Sequence, residues 1–235
     1  TNPSASFVAP GMEHFFGTDK LGRDIFSRTV AGAQVSLTVG FGAAAIAIAL
    51  GVVIGSFSVF SGKWVDGIIT SAVDMLLSFP SLLMAIALVA ITGAGVGQVI
   101  LAIVIADLPR AIRLQRSLAL GLKSRAYMDA ARMAGAGTWW LLFKHLIPNT
   151  VAPMVVVASI YAANAILVEA SLSFLGLGVP PPTPTWGGML SGSARAYMTT
   201  APWLAVVPGI CIMAVVLSFN LLGDTIRDVL DPRLR

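Results

Sequence analysis

The feature that most restricts this chain is a set of long apolar runs, each near the length that crosses a lipid bilayer. A spanning helix needs roughly 20 apolar residues, and the segments 36–60, 66–91, 97–114, 151–175 and 203–222 read as spans on that basis. Hydrophobic residues make up 57% of the 235 residues and charged residues only 11%, with a mean hydropathy of +0.87. Such values lie far from those of a soluble domain. The expected fold is all-α, a polytopic bundle of transmembrane helices with five spans in this chain. Residues 1–35 precede the first span, and 36–235 form the transmembrane domain, interrupted by a polar loop at about 115–149.

The net charge is +4, but its placement says more. Arg110, Arg113, Arg116, Lys123, Arg125, Arg132 and Lys144 crowd the stretch between the third and fourth spans, and Arg227, Arg233 and Arg235 follow the fifth. The positive-inside rule puts both stretches in the cytoplasm. Two spans separate them, so the assignment is self-consistent. It leaves 1–35, 92–96 and 176–202 outside, and 61–65 inside. The basic balance is explained by topology, not by nucleic acid. The outward N-terminal stretch carries Lys20, Arg23 and Arg28 against Glu13, Asp19 and Asp24. The sequence opens on Thr1 with no signal-peptide pattern, and an outward start without a preceding span leads us to expect further residues upstream, including one more span.

Little catalytic chemistry is on offer. Cys211 is the sole cysteine, and His14 and His145 fall on opposite expected sides of the membrane, so neither a disulfide nor a metal site is expected. The sequence has no G-x-x-x-x-G-K-[ST] phosphate loop, no G-x-S-x-G elbow and no H-E-x-x-H helix. No cofactor is expected on this chain, and energy for transport would come from a partner or an ion gradient.

One polar, Gly-punctuated segment stands out among the apolar runs: Asp129-Ala130-Ala131-Arg132-Met133-Ala134-Gly135, with Pro148 thirteen residues past the glycine. Its residues alone predict a helix capped by Ser124 and running to Ala134. A left-handed turn follows at Gly135 and Gly137, then a second helix capped by Thr138 and stopped by Pro148. Ala130, Ala131 and Ala134 give one face small side chains, which lets a partner surface approach closely. The plain alternative is a helix that merely links two spans.

The spacing from Asp129 through Gly135 to Ile147 and Pro148 resembles the cytoplasmic coupling loop of ABC importer permeases. That motif reads Glu-Ala-Ala, three residues, Gly, nine residues, Ile-x-Leu-Pro; here Asp129 replaces Glu and His145 the aliphatic residue. Other blocks resemble the dipeptide/oligopeptide/nickel group, and its second, C-type, permease subunit in particular. They are Gly17 to Asp24 with Ser27-Arg28, Glu169 to Gly178, Pro180 to Gly187, Phe219 to Asp224, and Arg227-Asp228 through Asp231 to Leu234. The resemblance covers nearly the whole chain and implies an importer permease fold with six spans in the full protein. It implies a second homologous permease, two ATP-binding subunits or domains that hold ATP and Mg, and an extracellular or periplasmic solute-binding protein. The setting is a bacterial or archaeal cytoplasmic membrane, with the coupling loop and C-terminus inside. Coupling would fall to Tyr127, Asp129, Ala130, Ala131, Gly135, Ile147 and Pro148.

Ionisable residues within apolar spans are costly and often functional. Asp74, Asp107 and Glu169 are therefore candidates for the transport pathway, each weighed against a purely structural pairing inside the bundle. Glu169 in particular either faces the cavity or satisfies polar groups where its helix ends. Gly40, Gly42, Gly51 and Gly55 read as helix-packing positions. Two other functions remain open: a permease of another ABC importer group, and a secondary transporter driven through the three carboxylates. A membrane protein with only a structural role is the third alternative.

Overall fold

The computed structural model describes residues 3–230. Among these the fold is helical, and extended pairing is limited to an isolated bridge between Thr18 and Asp24. Ten helices follow in order: α1 (Ile25–Phe60), α2 (Lys63–Leu77), α3 (Ser81–Thr92), α4 (Val96–Lys123), α5 (Ala126–Met133), α6 (Thr138–Trp140), α7 (Ile147–Phe174), α8 (Trp186–Leu190), α9 (Ser193–Ala196) and α10 (Trp203–Leu230). A π-helical segment, Leu141–Leu146, joins α6 to α7.

The long helices build a bundle in which α1 packs along α4 and α7, α10 covers α7, and α3 and α2 lie on α4. Close backbone approach makes this possible. A Cβ at Gly40 would sit 2.4 Å from Ile166 Cγ1, at Gly51 2.5 Å from Ala111 Cβ, and at Gly55 2.7 Å from the Ile112 carbonyl oxygen. Those three glycines serve α1 as packing positions. Gly42, with its nearest neighbour at 3.5 Å, does not depend on lacking a side chain.

Among the described residues three helical stretches, rather than the five expected, are long and apolar enough to cross a membrane: Ile25–Phe60, Thr138–Phe174 and Trp203–Val229. The pair Lys63–Leu77 and Ser81–Thr92 brings the number to four if taken as one span, but its halves meet at 90°. Pro80 therefore does more than kink a helix. It caps α3, and the chain turns a corner there. Helix α4 runs unbroken through Pro109 for 28 residues, and Asp107, Arg110 and Arg113 dilute its apolar character. Its extent also revises the loop expected at 115–149, because 115–123 continue the helix.

The ends of the bundle are chemically distinct. At one end Ile25, Met189, Ala194, Ala201 and Leu204 cluster, with Phe7, Phe16 and Trp203 packed against them. The N-terminal segment and the 176–202 loop thus share this end. At the other end Val59, Ala119 and Leu146 meet, with Phe60 and Leu122 beside them. There the close of α1, the close of α4 and the π segment come together. Arg233, Arg235 and the Asp231 to Leu234 block lie outside the described residues.

Candidate functional site

The loop between α4 and α7 forms from local rules that differ in detail from those expected. Ser124 does not cap α5. It closes α4, donating its Oγ to the Gly121 carbonyl at 3.1 Å, while Arg125 precedes α5 with no side-chain cap. Gly135 does adopt the left-handed turn, at φ 88°, where the Ala136 amide reaches back to Ala131 O at 3.0 Å. Gly137 has φ −71° and needs no such freedom. Thr138 lies inside α6, which is preceded by Gly137 without a side-chain cap.

Pro148 does not stop the helix. From Leu141 the hydrogen bonding widens to the π pattern, with the Ile147 amide bonded to Leu142 O. This shift takes up the amide that Pro148 lacks, and Asn149 Nδ2 donates to the His145 carbonyl at 2.5 Å. The outcome is a helical stretch of 37 residues, Thr138–Phe174, running from the polar loop to the opposite end of the bundle.

The loop surface is apolar and open. Tyr127, Met133, Trp139, Trp140 and Phe143 are all exposed, Met133 by 84%. Ala131, Ala134, Gly135, Ala136, Gly137 and Trp140 line a depression of about 400 Å³. Asp129 and Ala130 are exposed on the same helix, and Asp129 pairs with Arg132 at 2.9 Å. His145, which departs from the motif, packs edge-on against Trp140 at 4.6 Å and lies 6.0 Å from the Tyr127 ring. It braces α5 against the π segment. Ile147 and Pro148 sit at the start of α7. The residues assigned to coupling are therefore brought together at one end of the molecule, with small side chains and aromatic rings side by side.

The three carboxylates do not converge. Asp74, on α2, is more than half exposed and paired with Arg113. Asp107 is buried, within 3.3 Å of Arg110 and bonded to Asn164. Glu169 is fully buried. Its Oε2 accepts from Ser36 Oγ at 3.0 Å and its Oε1 from Ser173 Oγ at 2.7 Å. Its partners are side-chain hydroxyls of α1 and α7 and the Thr185 side chain at the start of α8. The arginines assigned to a cytoplasmic loop are also recast. Arg110, Arg113 and Arg116 lie on α4 and pair with Asp107, Asp74 and Asp66, the last through two bonds of 2.7 and 2.6 Å.

Two features were missed at the sequence level. Gln115 is fully buried in α4 and donates to Ser56 Oγ at 2.7 Å and Thr150 Oγ1 at 3.0 Å, tying α1, α4 and α7 together. The one sequence signal was a lone Gln among apolar neighbours. The second is Arg28, whose side chain is only 20% exposed beneath the 176–192 loop. Its i, i+4 neighbour in the turn of Asp24 gave no hint of that burial.

Comparison with known proteins fits this geometry. Residues 47–235 match the family described as binding-protein-dependent transport system inner membrane component. The chain belongs to that family. It is 44% identical over 235 residues to the dipeptide transport system permease protein DppC of Alkalihalophilus pseudofirmus, covering 100% of this chain and 77% of that protein. It is 45% identical over 226 residues to the glutathione transport system permease protein GsiD of Escherichia coli, covering 96% and 74%. Among solved structures, an inward-facing form of the MetNI methionine ABC transporter aligns at TM-score 0.70 and 16% identity. That alignment covers 88% of this chain and 98% of the other, and it shows a shared fold. This chain is thus the permease component of a binding-protein-dependent transport system.

Proposed function

We propose that this chain is one of two permease subunits of an ATP-driven importer for peptides or related small solutes such as glutathione or nickel. It supplies half of the pathway and crosses a bacterial or archaeal cytoplasmic membrane five times, with the 126–148 loop and the C-terminus inside. Two ATP-binding subunits or domains hydrolyse ATP with Mg, and an external solute-binding protein delivers cargo. This chain binds no nucleotide itself.

The observation that carries the reading is the loop surface. Gly135, Trp139, Trp140 and Phe143 are exposed at one end, with Ala131 half-buried among them, and an exposed apolar patch of this kind marks a partner surface. A helical stretch of 37 residues leaves it and reaches Glu169 near the far end. At a rise of about 1.5 Å per residue that lever is roughly 55 Å long. Closure of the ATPases against α5 would tilt it and, through the packing of α1 and α10 on α7, swing the bundle between inward- and outward-open forms. The names of the dipeptide and glutathione permeases support the solute class. An ion-driven carrier is disfavoured, because Asp74, Asp107 and Glu169 each have their own partner and share no site.

The test is reconstitution into vesicles with the second permease, the ATPases and the binding protein. Uptake of a labelled dipeptide should require internal ATP and external binding protein. Uptake by this chain alone on a proton or sodium gradient would refute the proposal.

A further inference from the structure

A cavity of about 460 Å³ lies at the end of the bundle opposite the coupling loop. Its size falls in the range of roughly 300–1,000 Å³ typical of small-ligand sites. Asp19, Lys20, Arg23 and Arg28 line one side of it and the proline run 180–184 the other. Three cations thus stand against one carboxylate.

The carboxylate is already committed. Asp19 Oδ1 accepts from the Leu21 amide at 2.8 Å and the Arg23 amide at 3.0 Å, and Oδ2 from Arg23 Nε at 2.6 Å. Arg28 Nε is left 3.9 Å from the same Oδ2, beyond hydrogen-bond reach. Its side chain is four-fifths covered with Asp19 only at that longer ion-pair distance, and covering a charge without a hydrogen-bonded partner is costly.

The walls are fixed in place. Thr18 Oγ1 donates to Ala5 O at 2.5 Å and accepts from the Val8 amide at 2.8 Å, and Trp203 Nε1 donates to Thr18 O at 3.2 Å. The prolines opposite have no backbone N–H, and the charged donors for a ligand come from the basic side. A guanidinium with free N–H groups matches a carboxylate in both geometry and charge.

We propose that this cavity is a carboxylate-binding subsite at the external mouth, where Arg28, flanked by Arg23 and Lys20, receives the free carboxylate of an entering peptide. The inference rests on the peptide-import reading. Arg28 is too deeply covered for a broad protein surface to reach it, whereas a small solute can enter beneath the proline run.

The experiment compares uptake of a dipeptide and its C-terminal amide by the assembled transporter, with intact chain or with Arg28→Gln. Both peptides are delivered by the same binding protein, so its own preference cancels in the ratio of ratios. The expected result is a KM for the free acid raised about tenfold in Arg28→Gln, with the amide changed less than twofold, and partial recovery in Arg28→Lys. If Arg28→Gln fails to assemble, exposed Lys20→Gln decides, with a two- to threefold loss confined to the acid. Equal losses for acid and amide would overturn the proposal. So would weakened docking of the empty binding protein, which would assign the cavity to an acidic side chain of that protein. If the unaltered transporter moves neither peptide, it is the peptide-import reading that fails.

Discussion

Ser36 and Glu169, 133 residues apart in sequence, are joined by a hydrogen bond of 3.0 Å from the serine hydroxyl to Oε2 of the carboxylate. The same hydroxyl oxygen accepts from the Trp186 amide at 3.3 Å, and Ser173 occupies the other carboxylate oxygen at 2.7 Å. Helices α1 and α7 and the start of α8 are thereby fastened at one buried point. Glu169→Gln keeps the shape and most acceptor capacity, so uptake should fall only mildly. Glu169→Ala leaves buried hydroxyls without their acceptor and opens a void, costing on the order of 2–4 kcal/mol. Thermal unfolding of the purified complex checks this. A tenfold loss of substrate affinity in Glu169→Gln, with normal assembly, would show that the carboxylate serves the solute instead.

The contact of α1 with α4 depends on missing side chains. Gly55→Ala would place a Cβ 2.7 Å from the Ile112 carbonyl oxygen and 2.9 Å from Gln115 Cβ. Backbone cannot yield as a side chain does, so the variant should lose about 1–3 kcal/mol and disturb the buried Gln115–Ser56 bond. Gly67 on α2 has open space around it, and Gly67→Ala should gain roughly 0.5–1 kcal/mol from helix propensity. The two unfolding midpoints should move in opposite directions.

Acid should loosen the N-terminal segment around Asp19. Burial alone would raise the Asp19 carboxyl, but the Arg23 and Leu21 amides and the Arg23 guanidinium outweigh it and hold the pKa below the ordinary 3.8. A carboxyl depressed on folding contributes stability that is present above its unfolded pKa and lost as pH falls through the folded value. Exchange protection of the Leu21 and Arg23 amides should therefore be steady near neutrality and fall as pH drops below about 4. Asp19→Asn should lower that protection at pH 7 and flatten its pH dependence.

Topology is open to direct labelling. Thr185, in the 176–202 loop, is 1% exposed and a poor probe, whereas Thr183 and Ser124 are exposed. In a Cys211→Ser background, a cysteine at Thr183 should react only with external reagent and one at Ser124 only after the inner face is opened. Reaction of both from the same side would overturn the five-span arrangement.

The helical fold and the grouping of the loops at two ends were legible, because apolar run length and charge placement dominate in a membrane. Boundaries were not. Proline read as a stop at Pro148, yet a π segment absorbs its missing amide. The stretch 66–91 read as one span, yet the chain turns by 90° at Pro80 within it. Asp74 is half-exposed on α2 and paired with Arg113 of α4, a pairing that periodicity over a short helix does not reveal. Arg28 and Gln115 were invisible because their surroundings come from segments far away in sequence.

The central claim is that the 126–148 surface transmits the ATPase stroke. Ala131 lies in its depression and Gly135 holds the turn at φ 88°, so Ala131→Arg blocks close docking and Gly135→Val strains the turn by about 1–3 kcal/mol. The most direct measurement is ATP hydrolysis by the reconstituted complex with and without loaded binding protein. The account predicts that Ala131→Arg still inserts and assembles with its partner permease but loses the stimulation. Stimulation equal to that of the unaltered complex would contradict it.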